Sequence, residues 1–471
     1  MFRYQVVENA VIALVESGAL GVGEKVPSLR TMATRMGVSL STVSQAYLGL
    51  EAKGIIESRP RSGFFLRESF RRIPLPSRAE MSLEAVPVSR NQLILMVLET
   101  VGSREQLPYG VICPSDELLP GSELAKIMIR ICRERPAELL RYETVEGSLD
   151  LRRQLAFRSL DAGFESTPGD YLITSGCLEA LYISLRVLTR PGDTVLVQSP
   201  TYYCFLQLLE SLGLRAVEVP SCPGRGIDPD DVARALDRFA VSACIFSPNY
   251  NNPDGSLTPE EAKKRIVELL AARSIPLVED DIASDLHFGP RRPGTFKQYD
   301  REGTVILCSS FSKTAAPGYR VGWMTPGRYR EKALEVKATT SVSVASPGQM
   351  VLAEFLASGR YDRHLKRLRA AVALQMRTLR AHVGEYFPAG TRATDPDGGA
   401  VLWLELPPAV DGVAYFHRAR EAGIGVAPGA IFTTRDDYAN CVRLSAGGVW
   451  DERMKDGLRC LGEIAFAMAT Q

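Results

Sequence analysis

Past residue 90 the chain alternates between short apolar runs of strand length and longer amphipathic runs of helix length, and this alternation constrains the fold more than any other feature. The strand-like runs are Tyr171–Thr174, Thr194–Gln198, Ala216–Val219, Ala243–Phe246, Pro276–Glu279 and Val305–Cys308. The helix-like runs are Leu151–Leu160, Glu179–Leu188, Tyr203–Leu212, Val232–Phe239 and Glu260–Ala272. Such a pattern predicts an α/β body: a mostly parallel sheet with helices on both faces. Ligands of such sheets bind beyond the carboxyl ends of the strands, so the residues at those ends matter most.

Five strand ends carry chemistry. Ser175-Gly176-Cys177 opens a helix and offers amide donors at a helix N-terminus, a place that suits a phosphate. Ser199-Pro200-Thr201-Tyr202 ends in an aromatic ring able to stack on a planar group, and Asn249 to Gly255 brings an amide side chain in Asn252. Val278-Glu279-Asp280-Asp281 supplies carboxylates, and Ser309 to Arg320 joins Ser310, Ser312, Lys313 and Arg320 in one loop. Pyridoxal 5′-phosphate needs each of these: an amine for a Schiff base, a carboxylate for the pyridine nitrogen, phosphate donors and a ring platform. Asp280 is the expected pyridine partner, with Asp281 the alternative if the register shifts by one. Cys177, Cys204 and Cys308 fall near the same ends and are read as small buried hydrophobes.

The first 72 residues differ in charge from the rest. They hold ten Lys/Arg against six Glu and no Asp, a balance of +4 in a chain whose total is +1. A helix over 4–17 is expected, then one capped by Ser28 and stopped at Gly37, then one starting near Ser39 with Val43, Ala46, Tyr47 and Leu50 inward. Ile55–Ser58 and Phe64–Leu66 read as a hairpin wing around Arg59 to Gly63. Small polar side chains at the start of the third helix, Ser39, Ser41, Thr42 and Gln45, suit a DNA major groove. Ser28, Arg30, Arg35 and the wing residues Arg61 and Ser62 would meet phosphates and set register. Residues 68–90, with their prolines, read as a linker between a DNA-binding domain at 1–67 and a body at 91–471.

The string Val26 to Tyr47, ending in the wing Arg59-Pro60-Arg61-Ser62-Gly63-Phe64-Phe65, resembles the winged helix-turn-helix of GntR-type bacterial regulators. Leu40 stands where that family often has Arg. The order of motifs from about residue 105 to 460 resembles the fold-type-I aminotransferases, and the combination resembles the MocR subgroup of GntR regulators. The resemblance implies a smaller C-terminal α/β subdomain and a homodimer. It further implies that Lys313 holds the cofactor covalently, Asp280 pairs with the ring nitrogen, Asn252 bonds the ring hydroxyl and Tyr202 stacks on the ring. Ser310, Ser312, Arg320 and the Gly176 and Cys177 amides would hold the phosphate, with Tyr142 reaching the partner subunit's phosphate. Arg443, in Cys441-Val442-Arg443-Leu444-Ser445, matches the arginine that grips an amino acid's α-carboxylate.

Many relatives carry a tyrosine shortly after the paired aspartates. Here the run is Asp280-Asp281-Ile282-Ala283-Ser284, so a donor to the ring hydroxyl is missing and efficient transaminase turnover is not expected. The expected function is therefore a pyridoxal-phosphate-dependent transcription regulator sensing an amino acid, an amine or the cofactor itself and acting on double-stranded DNA. The rivals are an active aminotransferase with an accessory DNA-binding head, and a scaffold that has lost its cofactor. Nine cysteines without a paired Cys-x-x-Cys spacing fit a reducing cytoplasm and no metal site. No apolar run approaches the ~18 residues of a membrane span, so a soluble protein is expected.

Overall fold

The computed structural model describes residues 3–16, 19–21, 23–52, 55–59, 62–67, 73–87, 91–99 and 106–470. The chain divides into two compact units, residues 1–73 with 377–387, and residues 74–376 with 388–471.

In the first unit α1 (Arg3–Glu16), α2 (Leu29–Met36) and α3 (Leu40–Ala52) precede the antiparallel strands β1 (Ile56–Arg59) and β2 (Gly63–Leu66). Ser28 caps α2 by accepting the Thr31 N–H at 3.1 Å, and Gly37 ends it in the left-handed region at φ 61°. Ser39 caps α3 through the Thr42 N–H at 3.2 Å. Val43, Ala46, Tyr47 and Leu50 fall on one helical face and are buried against Val7, Val11 and Met32. The Tyr47 hydroxyl donates to Pro27 O at 2.6 Å, tying α3 to the entry of α2.

The second unit holds β3 (Ala85–Pro87), β4 (Leu172–Thr174), β5 (Thr194–Ser199), β6 (Arg215–Cys222), β7 (Gly226–Ile227), β8 (Val241–Phe246), β9 (Leu277–Asp280), β10 (Val305–Ser310) and β11 (Gly322–Thr325). They form one sheet in the order β3-β6-β5-β8-β9-β10-β11-β4, with β7 on β6. β6, β5, β8, β9 and β10 are mutually parallel, and β11 runs against both its neighbours. Successive residues of β5 serve opposite faces: Val195 and Val197 pack under the helices Cys177–Leu188 and Tyr203–Ser211, and Leu196 under Pro229–Arg238 and Glu260–Ala272. The C-terminal subdomain is an antiparallel sheet in the order β12 (Arg392–Ala393), β13 (Val401–Glu405), β15 (Cys441–Ser445), β14 (Ala427–Pro428), with helices Gly412–Glu421 and Glu452–Ala469.

One expectation needs correction. The stretch 68–90 is no free linker over residues 74–87, because its polar groups find partners on the body. The Ser77 N–H donates to Glu405 Oε2 at 2.6 Å, Arg78 pairs with the buried Asp231, and β3 extends the sheet on the edge of β6. Among the described residues no helix is long and apolar enough to cross a membrane.

Candidate functional site

The carboxyl ends of the parallel strands surround a cavity of about 340 Å³. β10 ends at Ser310 and runs into a single turn, Phe311–Lys313. Phe311 is buried against Trp323, ring centroids 4.7 Å apart, and its N–H bonds Val321 O at 3.1 Å. With that residue anchored inward, Ser310, Ser312 and Lys313 face the cavity. Lys313 Nζ donates to Ile112 O. Burial pulls the lysine's pKa down, and the nearby Arg443 guanidinium adds to the effect, which favours a neutral amine.

Asp280, the last residue of β9, is buried on the same cavity. Its Oδ1 accepts the Ile282 N–H at 3.2 Å and the Cys177 thiol at 3.5 Å, which leaves Oδ2 toward the cavity. Burial raises its carboxyl to about 6. Asp281 is turned the other way, paired with Arg292 and Ser284, and does not line the cavity. The register with Asp280 as the inward carboxylate is the one observed.

At one end of the cavity the helix Cys177–Leu188 presents its N-terminus. Gly176 has φ +82°, and a Cβ there would lie 2.4 Å from Arg320 Nη2. Arg320 itself has φ 51°, bonds Ser175 O at 3.3 Å, and has no carboxylate partner among the described residues. The Gly176 N–H is already given to Thr174 O at 2.9 Å, so its expected role as a phosphate donor is corrected to that of a spacer. The Cys177 N–H, first in the helix, has no intrahelical acceptor.

Arg443, from the middle of β15, lines the same cavity and is 1% exposed. Nη1 donates to Asn252 Oδ1 at 3.0 Å, Nη2 to Gly110 O, and its carbon lies 5.3 Å from the Phe432 ring centroid. Nε has no acceptor, and no carboxylate among the described residues pairs with it. Tyr202, whose ring packs on Tyr203 at 4.8 Å, completes the wall.

The structure thus brings together Cys177, Tyr202, Asn252, Asp280, Ser310, Ser312, Lys313, Arg320 and Arg443. Tyr142 is not among them: it is 91% exposed, outside its own chain's cavity. Cys177, Cys204 and Cys308 are buried, and burial pushes the Cys204 thiol up to about 12. In the first unit Arg30, Arg35, Ser41, Gln45 and Ser62 are exposed, whereas the hydroxyls of Ser28 and Ser39 are engaged as caps and Thr42 Oγ1 bonds Ser39 Oγ at 2.8 Å. Arg61 lies outside the described residues.

Sequence reasoning missed the stretch 107–113. Leu107 N–H bonds Gly423 O at 2.9 Å, Ser445 N–H bonds Tyr109 O at 2.7 Å, and the Gly110 and Ile112 carbonyls receive Arg443 and Lys313. It is irregular, so periodicity could not mark it; the turn-prone pair of Pro108 and Gly110 around Tyr109 was the available signal. Val97 and Leu98, at the end of the helix Asn91–Leu98, and Tyr250, held at φ 55°, also line the cavity.

Fold and site together define a winged helix-turn-helix module joined to an aminotransferase-type body. Residues 122–461 match the aminotransferase class I and II family, and residues 3–66 match the gntR family of bacterial regulatory proteins. The chain is 35% identical over 467 residues to the uncharacterized HTH-type transcriptional regulator YjiR of Escherichia coli, covering 99% of each. It is 33% identical over 471 residues to a second such regulator of the same organism, YdcR, covering 98% of this chain and 99% of the other. The crystal structure of LysN, an alpha-aminoadipate aminotransferase from Thermus thermophilus complexed with N-(5′-phosphopyridoxyl)-L-leucine, superposes with a TM-score of 0.74 at 29% identity, over 81% of this chain and 96% of that one. The chain therefore belongs to the aminotransferase class I and II family, in the MocR-type branch whose members are HTH-type transcriptional regulators.

Proposed function

We propose that this DNA-binding regulator holds pyridoxal 5′-phosphate in the cavity, senses an amino acid there, and reports it through its N-terminal module. The observation that carries the reading is Arg443, a buried guanidinium without a counter-charge, on the same cavity as Lys313 and Asp280. A buried unpaired cation is costly, and the carboxylate of an amino acid relieves it with charge-assisted bonds.

The residues present fit the cofactor. Lys313 would hold it covalently, Asp280 Oδ2 would face the ring nitrogen, Asn252 the ring oxygen and Tyr202 the ring plane. Ser310, Ser312, Arg320 and the Cys177 N–H would hold the phosphate, at a helix N-terminus that favours an anion. Bound there, pyridoxal phosphate supplies an aldehyde carbon on which one primary amine can replace another, and a visible absorption that reports the exchange. Each protein group has its own task. Lys313 would carry the covalent link, and burial, by lowering its pKa, would favour the unprotonated amine that such a link requires. Asp280, buried and with its pKa raised to about 6, would gain an opposite charge from a protonated ring nitrogen and hold that proton in place. Asn252, bonded to Arg443 Nη1, links the ring end to the carboxylate end.

The wall beyond Asp280 is Ile282 and Ala283, without a hydroxyl. Lack of one donor to developing charge can cost ~3 kcal/mol of barrier, so uptake of an amino acid with slow or no turnover is the expected behaviour. Tyr142 and Leu140, 91% and 89% exposed, support a homodimer in which Tyr142 serves the partner's cavity. Arg30, Arg35 and Gln45 would face DNA, in the cytoplasm. Borohydride treatment of the purified chain tests the cofactor site: the label is expected on the peptide containing Lys313, and a reducible adduct that survives in Lys313→Ala would overturn the assignment.

A further inference from the structure

Among the described residues, four charged side chains line the cavity, Lys313, Asp280, Arg320 and Arg443. The reading above, on which this inference rests, commits all four: to the cofactor's aldehyde, ring nitrogen and phosphate, and to the ligand's α-carboxylate. None is left for a side chain. The remaining wall is largely hydrocarbon, from Val97, Leu98, Val111, Leu178, Leu286 and Val401. Arg292 is held between Asp281 and Asp285, Arg369 Nε donates to Asp285 O at 2.6 Å, and neither lines the cavity.

We propose that the ligand is an amino acid whose side chain is uncharged and apolar, of the aliphatic or aromatic kind. A side-chain carboxylate or ammonium would enter the apolar wall with no opposite charge to meet it, which is strongly unfavourable. A hydrocarbon side chain removes its own surface and that of the wall from water. Leu98, the last residue of the helix Asn91–Leu98, is among the hydrocarbon residues that such a side chain would meet.

The test uses the full-length, cofactor-loaded chain, titrated with L-leucine, L-phenylalanine, glycine, L-glutamate and L-lysine while the visible absorption is followed. L-Leucine or L-phenylalanine is expected to reach half-saturation at a concentration roughly 30-fold or more below that of L-glutamate or L-lysine. Leu98→Ala is expected to weaken L-leucine roughly three- to ten-fold while leaving glycine, which has no side chain, unchanged. Glutamate or lysine binding as tightly as leucine would overturn the proposal, and would show that a charge from elsewhere, such as the partner subunit, enters the site. The spectral response itself would in that case uphold the effector reading. A chain that carries the visible band and responds to no amino acid would refute the effector reading, and this inference with it.

Discussion

Replacing Arg443 with Met separates binding of the amino acid from folding of the protein. The guanidinium makes two hydrogen bonds inside the chain, to Asn252 Oδ1 at 3.0 Å and to Gly110 O, and leaves Nε without an acceptor. Losing those bonds is offset by removing a buried charge, so stability should change by less than about 2 kcal/mol. Binding should suffer far more. Taking away one member of a buried ion pair costs about 3–5 kcal/mol, which is roughly a 10²- to 10⁴-fold rise in half-saturating concentration. The assay compares L-leucine with 3-methylbutylamine, the same molecule without its carboxylate, by shift of the visible absorption. Wild type should prefer leucine by that factor, and Arg443→Met should bind the two within a few-fold. An Arg443→Met variant that still prefers leucine by two orders of magnitude would refute the assignment of Arg443 to the carboxylate.

Other outcomes follow from the same geometry. Asp280 sits near 6 against an ordinary 3.8 because it is buried, so its charged form opposes folding of the cofactor-free chain above about pH 6 and not below about pH 4. Asp280→Asn should therefore be more stable than wild type by about 3 kcal/mol at pH 8 in urea unfolding, the gap closing as pH falls through 6; a pH-independent gap would contradict the burial argument. Gly176→Ala places a Cβ 2.4 Å from Arg320 Nη2 at a φ of +82°, and should lose cofactor on gel filtration at concentrations where wild type keeps it. Arg30→Ala should weaken DNA binding for all sequences and lower the salt slope by roughly one unit, whereas Gln45→Ala should change sequence preference. Anisotropy of labelled duplexes over a salt series distinguishes the two.

Where a feature obeys a local rule, it could be read from the sequence. Ser28 was legible as a cap because a small hydroxyl before an apolar helical face has that use, Ser39 as the approximate start of α3, and the inward face of α3 because its spacing is helical. Lys313, Asp280 and Tyr202 were legible because strands of a parallel sheet end on one side, so their last residues must meet. Features made by distant partners were not. Ser77 finds Glu405 more than 300 residues away, and the proline-rich stretch around it carries no periodicity to announce the contact. The Gly110 and Ile112 carbonyls act through the main chain, so no side-chain pattern marks them. Gly176 was expected to donate its N–H to a phosphate, but that N–H turns back to Thr174 O, and the feature visible at this position is the close approach of Arg320 that a Cβ would block.

The central claim is that an amino acid in the Lys313 cavity governs DNA binding by the N-terminal module. It is tested most directly by measuring the affinity of the full-length, cofactor-loaded chain for a duplex that it selects from a random pool, at fixed salt, with and without saturating L-leucine. Coupling between distinct sites is typically worth 1–3 kcal/mol, so a change of roughly five-fold or more is expected in wild type, and none in Lys313→Ala. An affinity that leucine leaves unchanged in wild type, or changes equally in Lys313→Ala, would contradict the claim.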